Sequence, residues 1–280
     1  MPARSYLYVP ADRPDRYAKA LAAGADAVIV DLEDAVAPDA KASARRALAD
    51  WLAAGVPGGA VTVRINAPAT PWFDDDLRAC AAPGVVAVMV PKAERAEVLA
   101  EVAARLPGRR LLPLVETARG IADLRAVASA PAVERLAFGS IDLSLDLGVA
   151  DEHEALLYAR SRMVLASRLA DLAAPIDGVT TALDDAEAIG RDAERARRLG
   201  FGAKLCIHPR QVAVVNRAFA PSEAELDWAR RVLAAAREAG GAAASLDGKM
   251  IDRPVILRAE ALLREADDAG RRAARPAAGV

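Results

Sequence analysis

The stretch LLPLVETARG, residues 111–120, predicts a buried strand whose only acidic residue is Glu116. A second stretch, LAFGSIDLSLDLG at 136–148, predicts another buried strand that runs into a glycine-serine loop carrying Asp142. Burying a carboxylate at the end of an apolar strand is unfavourable unless a cation or hydrogen-bond donor compensates it. Two such carboxylates, each following its own strand, suit a shared hard cation such as Mg²⁺. The alternative is that each carboxylate caps a helix at a strand-to-helix turn.

The same alternation of short apolar runs and longer alanine-rich amphipathic stretches covers the first 220 residues. The apolar runs are continuous and rich in β-branched residues, which is typical of parallel strands covered on both faces. Strands are predicted at 5–9, 27–32, 61–65, 85–90, 110–115, 135–138, 175–179 and 203–207. Helices are predicted at 15–23, 41–53, 73–80, 95–105, 120–128, 152–173, 182–199 and 209–219.

Eight β-then-α units predict an α/β protein with a (β/α)₈ TIM barrel over residues 1–220. A doubly wound sheet is the alternative, but no G-x-G-x-x-G follows the first strand. The barrel architecture predicts that the chemistry lies at the carboxyl ends of the strands.

After residue 220 the pattern changes. Residues 222–239 predict an amphipathic helix that begins at the capping sequence PSEAE, and 240–248 predict a small, flexible segment. KMIDRPVILRAEALL, residues 249–263, predicts a helix opened by Asp252 and Pro254. We therefore expect a helical extension over 221–266 and a disordered tail over 267–280.

The composition excludes several functional classes. A net charge of −2 gives no electrostatic basis for binding nucleic acid or a membrane surface. Two distant cysteines without a CxxC motif indicate free thiols in a reducing compartment, and two separated histidines do not suit a common zinc site. No apolar run reaches membrane-spanning length and the N-terminus does not resemble a secretory signal, so we expect a soluble cytoplasmic protein.

Further charged residues lie at predicted strand ends. In VTVRI, residues 61–65, the alternation of side chains turns Arg64 into the barrel near its carboxyl end. Arg64 either pairs with Asp31 or Glu33, or binds a substrate carboxylate. The DLED turn also offers Asp34, and its acidic residues either orient waters around a metal or form a solvated turn.

Two more positions allow two interpretations each. Lys92 is either a Schiff-base lysine or a member of an ion pair. His208 is either a general base or a packed, hydrogen-bonded residue, and Asp252 suits the N-cap of its helix. The backbone N–H groups of the loop formed by Gly139, Ser140 and Ile141 can hold an anionic carboxylate.

These segments together resemble the citrate lyase β-subunit-like family, which belongs to a group of Mg²⁺-dependent aldolases and lyases with barrel folds. The matching segments, from Arg4 to about Leu263, are RSYLYVPADRPDRYAKA, DLEDAVA, VRINAP, PKAE, LVETARG, FGSIDLSLDLG, CIHPRQ and DGKMIDRP. The resemblance implies that Glu116 and Asp142 hold Mg²⁺ and that Arg64 binds a substrate carboxylate. It also implies that Glu33 and Asp34 support the metal-bound waters.

The resemblance further implies a homotrimer with coenzyme A bound across the barrel mouth. In family members that act on free CoA esters, the aspartate of the MID segment, here Asp252, reaches a neighbouring subunit's site and handles protons. Pyruvate-type aldolases of the wider group carry a histidine after the second strand, where this chain reads DLEDAV.

The implied activity is therefore Mg²⁺-dependent cleavage, or formation by Claisen condensation, of a 3-hydroxyacyl-CoA thioester. Malyl-, citramalyl- and citryl-CoA are the candidates, giving a 2-keto acid and an acyl-CoA with or without later thioester hydrolysis. Alternatives are a citrate lyase β-subunit acting on a citryl-acyl carrier protein, a pyruvate or oxaloacetate aldolase, and a non-catalytic barrel that binds a keto acid or CoA. Discrimination of one methylene is worth only about 1–3 kcal/mol and depends on pocket shape, so the sequence does not name the acid.

Overall fold

Eight parallel strands close into a barrel in a computed structural model that describes residues 3–56, 60–150, 154–239 and 244–273. Each strand pairs with its neighbour in sequence, and β8 pairs with β1 through the registers Ser5–Lys204, Tyr6–Leu205 and Leu7–Cys206. The strands are β1 (Ser5–Pro10), β2 (Ala27–Asp31), β3 (Val61–Arg64), β4 (Val85–Val90), β5 (Arg110–Val115), β6 (Ala137–Phe138), β7 (Ile176–Asp177) and β8 (Ala203–Cys206). The predicted TIM barrel is confirmed.

Ten helices are described between the strands and after β8 in the barrel unit, which ends at Phe219. They are α1 (Tyr17–Leu21), α2 (Lys41–Ala53), α3 (Phe73–Cys80), α4 (Ala96–Arg105), α5 (Ala118–Ala122), α6 (Leu124–Ala128), α7 (Ser140–Leu147), α8 (Leu157–Leu169), α9 (Ala186–Arg198) and α10 (Pro209–Ala218). Short 3₁₀ turns at Pro14–Arg16 and Pro38–Ala40 precede α1 and α2.

The barrel buries two apolar layers because successive strand residues point to opposite faces. Inside the barrel lie side chains from β1, β2, β4, β5, β6, β7 and β8, namely Tyr6, Ile29, Met89, Leu112, Leu114, Ala137, Ile176, Ala203 and Leu205. The larger layer lies between strands and helices and includes Val61, Val63 and Ile65, as the alternation in β3 predicts. Both cysteines are buried and free, which confirms the prediction from their spacing.

Two helices depart from the sequence prediction. The segment predicted as a glycine-serine loop is the start of α7, which ends at Gly148 in the left-handed conformation (φ 67°) that favours glycine. Leu143 is fully buried and anchors this helix to the core, a tertiary contact that local sequence does not reveal. The helix predicted at 120–128 is two short helices that meet at Asp123, and the start of the one predicted at 152–173 lies outside the described residues.

The C-terminal unit, from Ala220, contains α11 (Glu223–Glu238), β9 (Ala244–Leu246), β10 (Lys249–Ile251) and α12 (Arg253–Ala273). Ser222 and Glu225 form the predicted capping box of α11. The segment predicted as flexible contributes β9 to an antiparallel hairpin.

The hairpin turn contains Asp247 and Gly248, both with positive φ. An Asp-Gly pair is a strong signal for such a turn.

The predicted disordered tail also needs correction. The helix α12 continues to Ala273. Residues 274–280 lie outside the described residues. Within the described ranges, no helix combines the length and apolarity needed to cross a membrane.

Candidate functional site

A cavity of about 380 Å³ opens among residues at the carboxyl ends of the barrel strands. Its charged lining residues come from the ends of β2, β3 and β5 and from the first turn of α7. The lining residues are Tyr8, Pro10, Asp31, Asp34, Ala35, Arg64, Leu114, Glu116, Phe138, Gly139, Ser140, Ile141, Asp142, Val179, Leu205 and Ile207. The structure thus places most of the predicted site residues around one cavity, as expected for a TIM barrel.

The two predicted metal ligands share one cation, the ammonium group of Lys92. Glu116 directly follows β5, and Asp142 lies in the first turn of α7. The Lys92 side-chain Nζ lies 3.5 Å from Glu116 Oε1 and donates a hydrogen bond to Asp142 Oδ1. The backbone N–H of Lys92 also donates to Glu116 Oε1 at 2.8 Å. Of the two interpretations of Lys92, the ion pair is therefore the one that forms.

Burial raises the pKa of Glu116 to about 7, although Lys92 opposes that shift. The side chain is only 2% exposed and packs against Gly139. A Cβ atom at position 139 would lie 2.5 Å from Glu116 Cβ and from Oε2, so only glycine fits there. The pair combines a buried, poorly compensated carboxylate with the half-exposed carboxylate of Asp142.

Because α7 begins at Ser140, the N–H groups that can bind a carboxylate differ from those predicted for the loop. The N–H of Gly139 donates to Val115 O at 3.0 Å, so it is already used. The next three N–H groups, at Ser140, Ile141 and Asp142, lie in the helical turn that has no intrahelical acceptors. These groups, rather than that of Gly139, can face an anion at the cavity.

Arg64 forms the ion pair that the sequence offered as one of its two roles. Its Nε and Nη2 atoms donate to the two carboxylate oxygens of Asp31 at 2.7 and 2.6 Å. The guanidinium stacks on the ring of Tyr8, 4.7 Å from the ring centroid. Such a bidentate pair fixes the planar group in the cavity wall. The binding of a substrate carboxylate by Arg64 remains a prediction.

Glu33 and Asp34 lie on the Arg64 side of the site. Glu33 Oε2 lies 3.1 Å from Arg64 Nη1, but it is a buried oxygen without a hydrogen-bond partner among the described residues. Burial outweighs the attraction of Arg64 and raises the pKa of Glu33 to about 8. Asp34, whose side chain is 65% exposed, lies 3.4 Å from the same nitrogen. Glu33 is thus a carboxyl group that holds a proton near neutral pH.

The sequence does not reveal the buried lysine that supports the DLED turn. Lys41, the first residue of α2, is 5% exposed and donates to the carbonyl oxygens of Leu32 and Glu33, each at 2.7 Å. Its ammonium lies 5.3 Å from the centroid of the Trp72 ring, and burial lowers the pKa of Lys41. The helix prediction at 41–53 locates this residue but does not indicate that its side chain turns inward.

Two candidate residues act as helix caps. His208 Nδ1 accepts a hydrogen bond from the N–H of Arg210 at 3.3 Å within a capping box of α10. Asp252 Oδ1 accepts one from the N–H of Val255 at 3.2 Å, so it caps α12 in the C-terminal unit. The structure thus shows the capping role for both residues. The proton-handling role of Asp252 remains a prediction.

The carboxylate pair suits a divalent cation bound by few protein groups. Within the described ranges, no cluster of three or more His, Cys, Asp or Glu side chains is arranged to hold a metal. Mg²⁺ is commonly bound by one or two carboxylates, with water and substrate oxygens completing the octahedron. Glu116 and Asp142 already attract one cation, the ammonium of Lys92, so their chemistry fits Mg²⁺.

Among characterised sequences, the chain is 42% identical to a citrate lyase subunit beta-like protein of Deinococcus radiodurans, over 93% of this chain and 96% of the relative. It is 36% identical to a (3S)-malyl-CoA thioesterase of Cereibacter sphaeroides, over 95% of each chain.

Solved structures agree with these sequence matches. A CitE protein of Mycobacterium tuberculosis, in complex with magnesium, acetoacetate and coenzyme A, has a TM-score of 0.85 and 39% identity, covering 94% of this chain and 98% of that one. A citrate lyase beta subunit of M. tuberculosis, complexed with oxaloacetate and magnesium, has a TM-score of 0.69 and 36% identity, covering 78% and 98%.

A family model matches residues 4–209, which include β1 to β8 and the complete lining of the cavity. The chain therefore belongs to the HpcH/HpaI aldolase/citrate lyase family.

Proposed function

We propose that this chain is a Mg²⁺-dependent carbon–carbon lyase. It cleaves a 3-hydroxyacyl-CoA thioester to a 2-keto acid and an acyl-CoA, or forms the thioester by Claisen condensation. The observation that carries the proposal is the pairing of Glu116 and Asp142 around a single cation at the mouth of the cavity. Relatives named after citrate lyase and malyl-CoA thioesterase, and a solved relative with magnesium and coenzyme A, support it.

Glu116 and Asp142 would hold Mg²⁺, with Lys92 moving away from the pair because it contacts both carboxylates. Bound Mg²⁺ would supply Lewis-acid stabilisation of the alkoxide charge on the carbinol oxygen, which becomes the keto-acid oxygen when the bond breaks. Gly139 provides the space that Glu116 needs, since a Cβ there would overlap the carboxylate. Glu33 and Asp34 would support water molecules around the cation.

The remaining groups would orient the substrate. Arg64 donates three hydrogen bonds to Asp31 and Asp34, and a guanidinium has five N–H groups, so it retains donors for a substrate carboxylate. The N–H groups of Ser140 and Ile141 would hold the same carboxylate at the start of α7.

During cleavage the carbinol hydroxyl loses a proton to solvent, and the enolate carbon of the acyl-CoA product gains one. Asp252 would supply it from a neighbouring subunit of a homotrimer, as the family resemblance implies. Its capping hydrogen bond to Val255 uses one carboxylate oxygen, Oδ1. The second oxygen can carry a proton while the cap is kept. The proposed enzyme works in the cytoplasm, where free CoA thioesters are available.

The test is the release of keto acid from malyl-, citramalyl- and citryl-CoA with Mg²⁺ and with EDTA. We expect Mg²⁺-dependent release of glyoxylate, pyruvate or oxaloacetate from at least one thioester. Glu116→Gln and Asp142→Asn should abolish both turnover and the Mg²⁺-dependent rise in melting temperature. Asp146→Asn is the matched control, because Asp146 lies on the same helix as Asp142 but its Oδ2 accepts a hydrogen bond from the N–H of Ala118. Full turnover in EDTA, or in Glu116→Gln, would refute the proposal.

A second candidate is hydrolysis of the 3-hydroxyacyl-CoA thioester that condensation forms, which the similarity to a (3S)-malyl-CoA thioesterase favours. The two activities differ in their final product, since cleavage alone leaves acetyl-CoA and hydrolysis releases a free thiol. Titration of free thiol during turnover distinguishes them. If the protein binds Mg²⁺ but releases keto acid from none of the three CoA thioesters, the result would favour a carrier-protein thioester as substrate or a non-catalytic binding role.

A further inference from the structure

The cavity has an uneven distribution of charge. Its charged lining residues are Asp31, Asp34, Arg64, Glu116 and Asp142, so four carboxylates face one guanidinium. The lining at β7 and β8 consists of Val179, Leu205 and Ile207, which we call the apolar wall.

The barrel topology separates the apolar wall from the guanidinium. Arg64 ends β3, whereas Val179 follows β7, four strands further around a barrel of eight. Leu205 lies on β8 and is 3% exposed. A group bound between Glu116 and the wall therefore lies on the far side of the cavity from Arg64.

No cation of the described lining is available beside the apolar wall. Arg64 lies across the barrel from the wall, and in the proposed complex its remaining donors hold the keto-acid carboxylate. Lys204 on β8 is 1% exposed and is held by Asp177 Oδ2 at 2.9 Å and by Gly178 O at 2.8 Å. It does not line the cavity.

We propose that the apolar wall receives the substituent on the carbinol carbon of the substrate and restricts it to hydrogen or a small alkyl group. This inference rests on the proposed function, because it assumes that the 2-keto carboxylate is held between Glu116, Asp142 and Arg64. The corresponding keto acids are glyoxylate, pyruvate and 2-oxobutyrate. Oxaloacetate, and hence citryl-CoA, would place a second carboxylate against the wall.

Charge decides this preference because a carboxylate that loses its water against apolar side chains needs a cation or several donors. The wall supplies neither. Solved relatives hold acetoacetate or oxaloacetate, so membership of the family does not decide the substituent. The inference concerns the side chains of this chain alone.

The experiment measures condensation of acetyl-CoA with glyoxylate, pyruvate, 2-oxobutyrate and oxaloacetate in the presence of Mg²⁺. Each product is identified by mass, because oxaloacetate decarboxylates to pyruvate in solution. We expect kcat/KM for glyoxylate or pyruvate to exceed that for oxaloacetate by on the order of 100-fold. If no keto acid reacts, the proposed function fails and the inference with it. If oxaloacetate reacts within tenfold of the best keto acid, the proposed function stands and the inference is refuted.

Two variants of the wall test the role of its side chains. Val179→Ala should raise the ratio of kcat/KM for 2-oxobutyrate to that for pyruvate about tenfold and leave the KM for acetyl-CoA unchanged. Val179→Lys should shift the preference towards oxaloacetate, and Val179 is half-buried, which favours tolerance of a long side chain. Val214→Ala and Val214→Lys are the controls, because Val214 is half-buried on α10 and does not line the cavity.

A change confined to the KM for acetyl-CoA would also refute the inference. The wall would then contact the thioester rather than the keto-acid substituent. The inference would also be refuted if Val179→Ala retained activity and left the ratio of kcat/KM for 2-oxobutyrate to that for pyruvate unchanged.

Discussion

Replacing Glu33 with glutamine should change the pH dependence of folding stability in a defined direction. Burial raises the pKa of Glu33 from 4.5 to about 8, so the folded chain holds this proton more tightly than the unfolded chain. The stability that the protonated form contributes is complete below pH 4.5. It decreases as the pH rises from 4.5 to 8 and is lost above pH 8. The difference between the two pKa values corresponds to about 5 kcal/mol.

Glutamine is neutral at every pH and matches the shape of the protonated side chain. The backbone at position 33 keeps both of its contacts in the variant. Its carbonyl oxygen still accepts a hydrogen bond from Lys41 Nζ, and its N–H still donates to Asp31 Oδ1. We therefore expect Glu33→Gln and the wild type to be about equally stable at pH 5. At pH 9 the variant should be more stable, by up to about 5 kcal/mol in the free energy of unfolding.

Urea unfolding at pH 5, 7 and 9 in EDTA, followed by circular dichroism, measures this difference. Glu116 titrates in both proteins, so its effect largely cancels in the difference between their free energies of unfolding. Asp34→Asn is the matched control, since Asp34 lies in the same turn and its side chain is exposed. This variant should differ from the wild type in free energy of unfolding by less than about 0.5 kcal/mol at each pH. A difference between Glu33→Gln and the wild type that stays constant within 0.5 kcal/mol from pH 5 to 9 would refute the reasoning.

Variants at three further residues test other contacts of the site. Gly139→Ala should destabilise the fold by about 1–3 kcal/mol and weaken Mg²⁺ binding, because the new Cβ overlaps Glu116. Urea unfolding and Mg²⁺ titration measure the two effects, and wild-type values for both would contradict the packing argument. Lys92→Met should lower the metal-free stability by only about 1 kcal/mol, since Lys92 is 36% exposed, but should enlarge the Mg²⁺-induced rise in melting temperature. An equal rise in both proteins would show that the ammonium does not compete with the metal. Lys41→Met should cost about 2 kcal/mol in urea unfolding, because two carbonyl oxygens lose their donor, whereas Lys41→Arg should recover part of the loss. Equal stability of all three proteins would mean that water replaces the ammonium.

The barrel is predictable from the sequence because each strand is a short apolar run that a helical pattern follows. The bounds of β4 and β5 agree with the prediction to the residue. The short strands β6 and β7 retain only two residues each, because pairing with neighbours rather than local composition sets where a ladder ends. The sequence cannot reveal α7, whose start depends on the burial of Leu143.

The convergence of Glu116 and Asp142 is equally predictable, because the carboxyl ends of parallel strands meet at one end of a barrel. The position of Lys92 between them is not. Lys92 has a φ of 47°, a left-handed conformation that is uncommon for a residue other than glycine. The paired state of Arg64 was one of two sequence interpretations, and only the contacts to Asp31 show that it forms.

Closure of the barrel between β1 and β8 has a consequence for the synthesis of this protein. The first strand begins at Ser5, but the partner that seals it begins at Ala203, so nearly the whole barrel must leave the ribosome before the ring is complete. Until then the nascent chain exposes the unpaired edge of β1, to which other chains can pair. A chain truncated before residue 203 therefore lacks the strand that closes the barrel and leaves this edge of β1 without its partner.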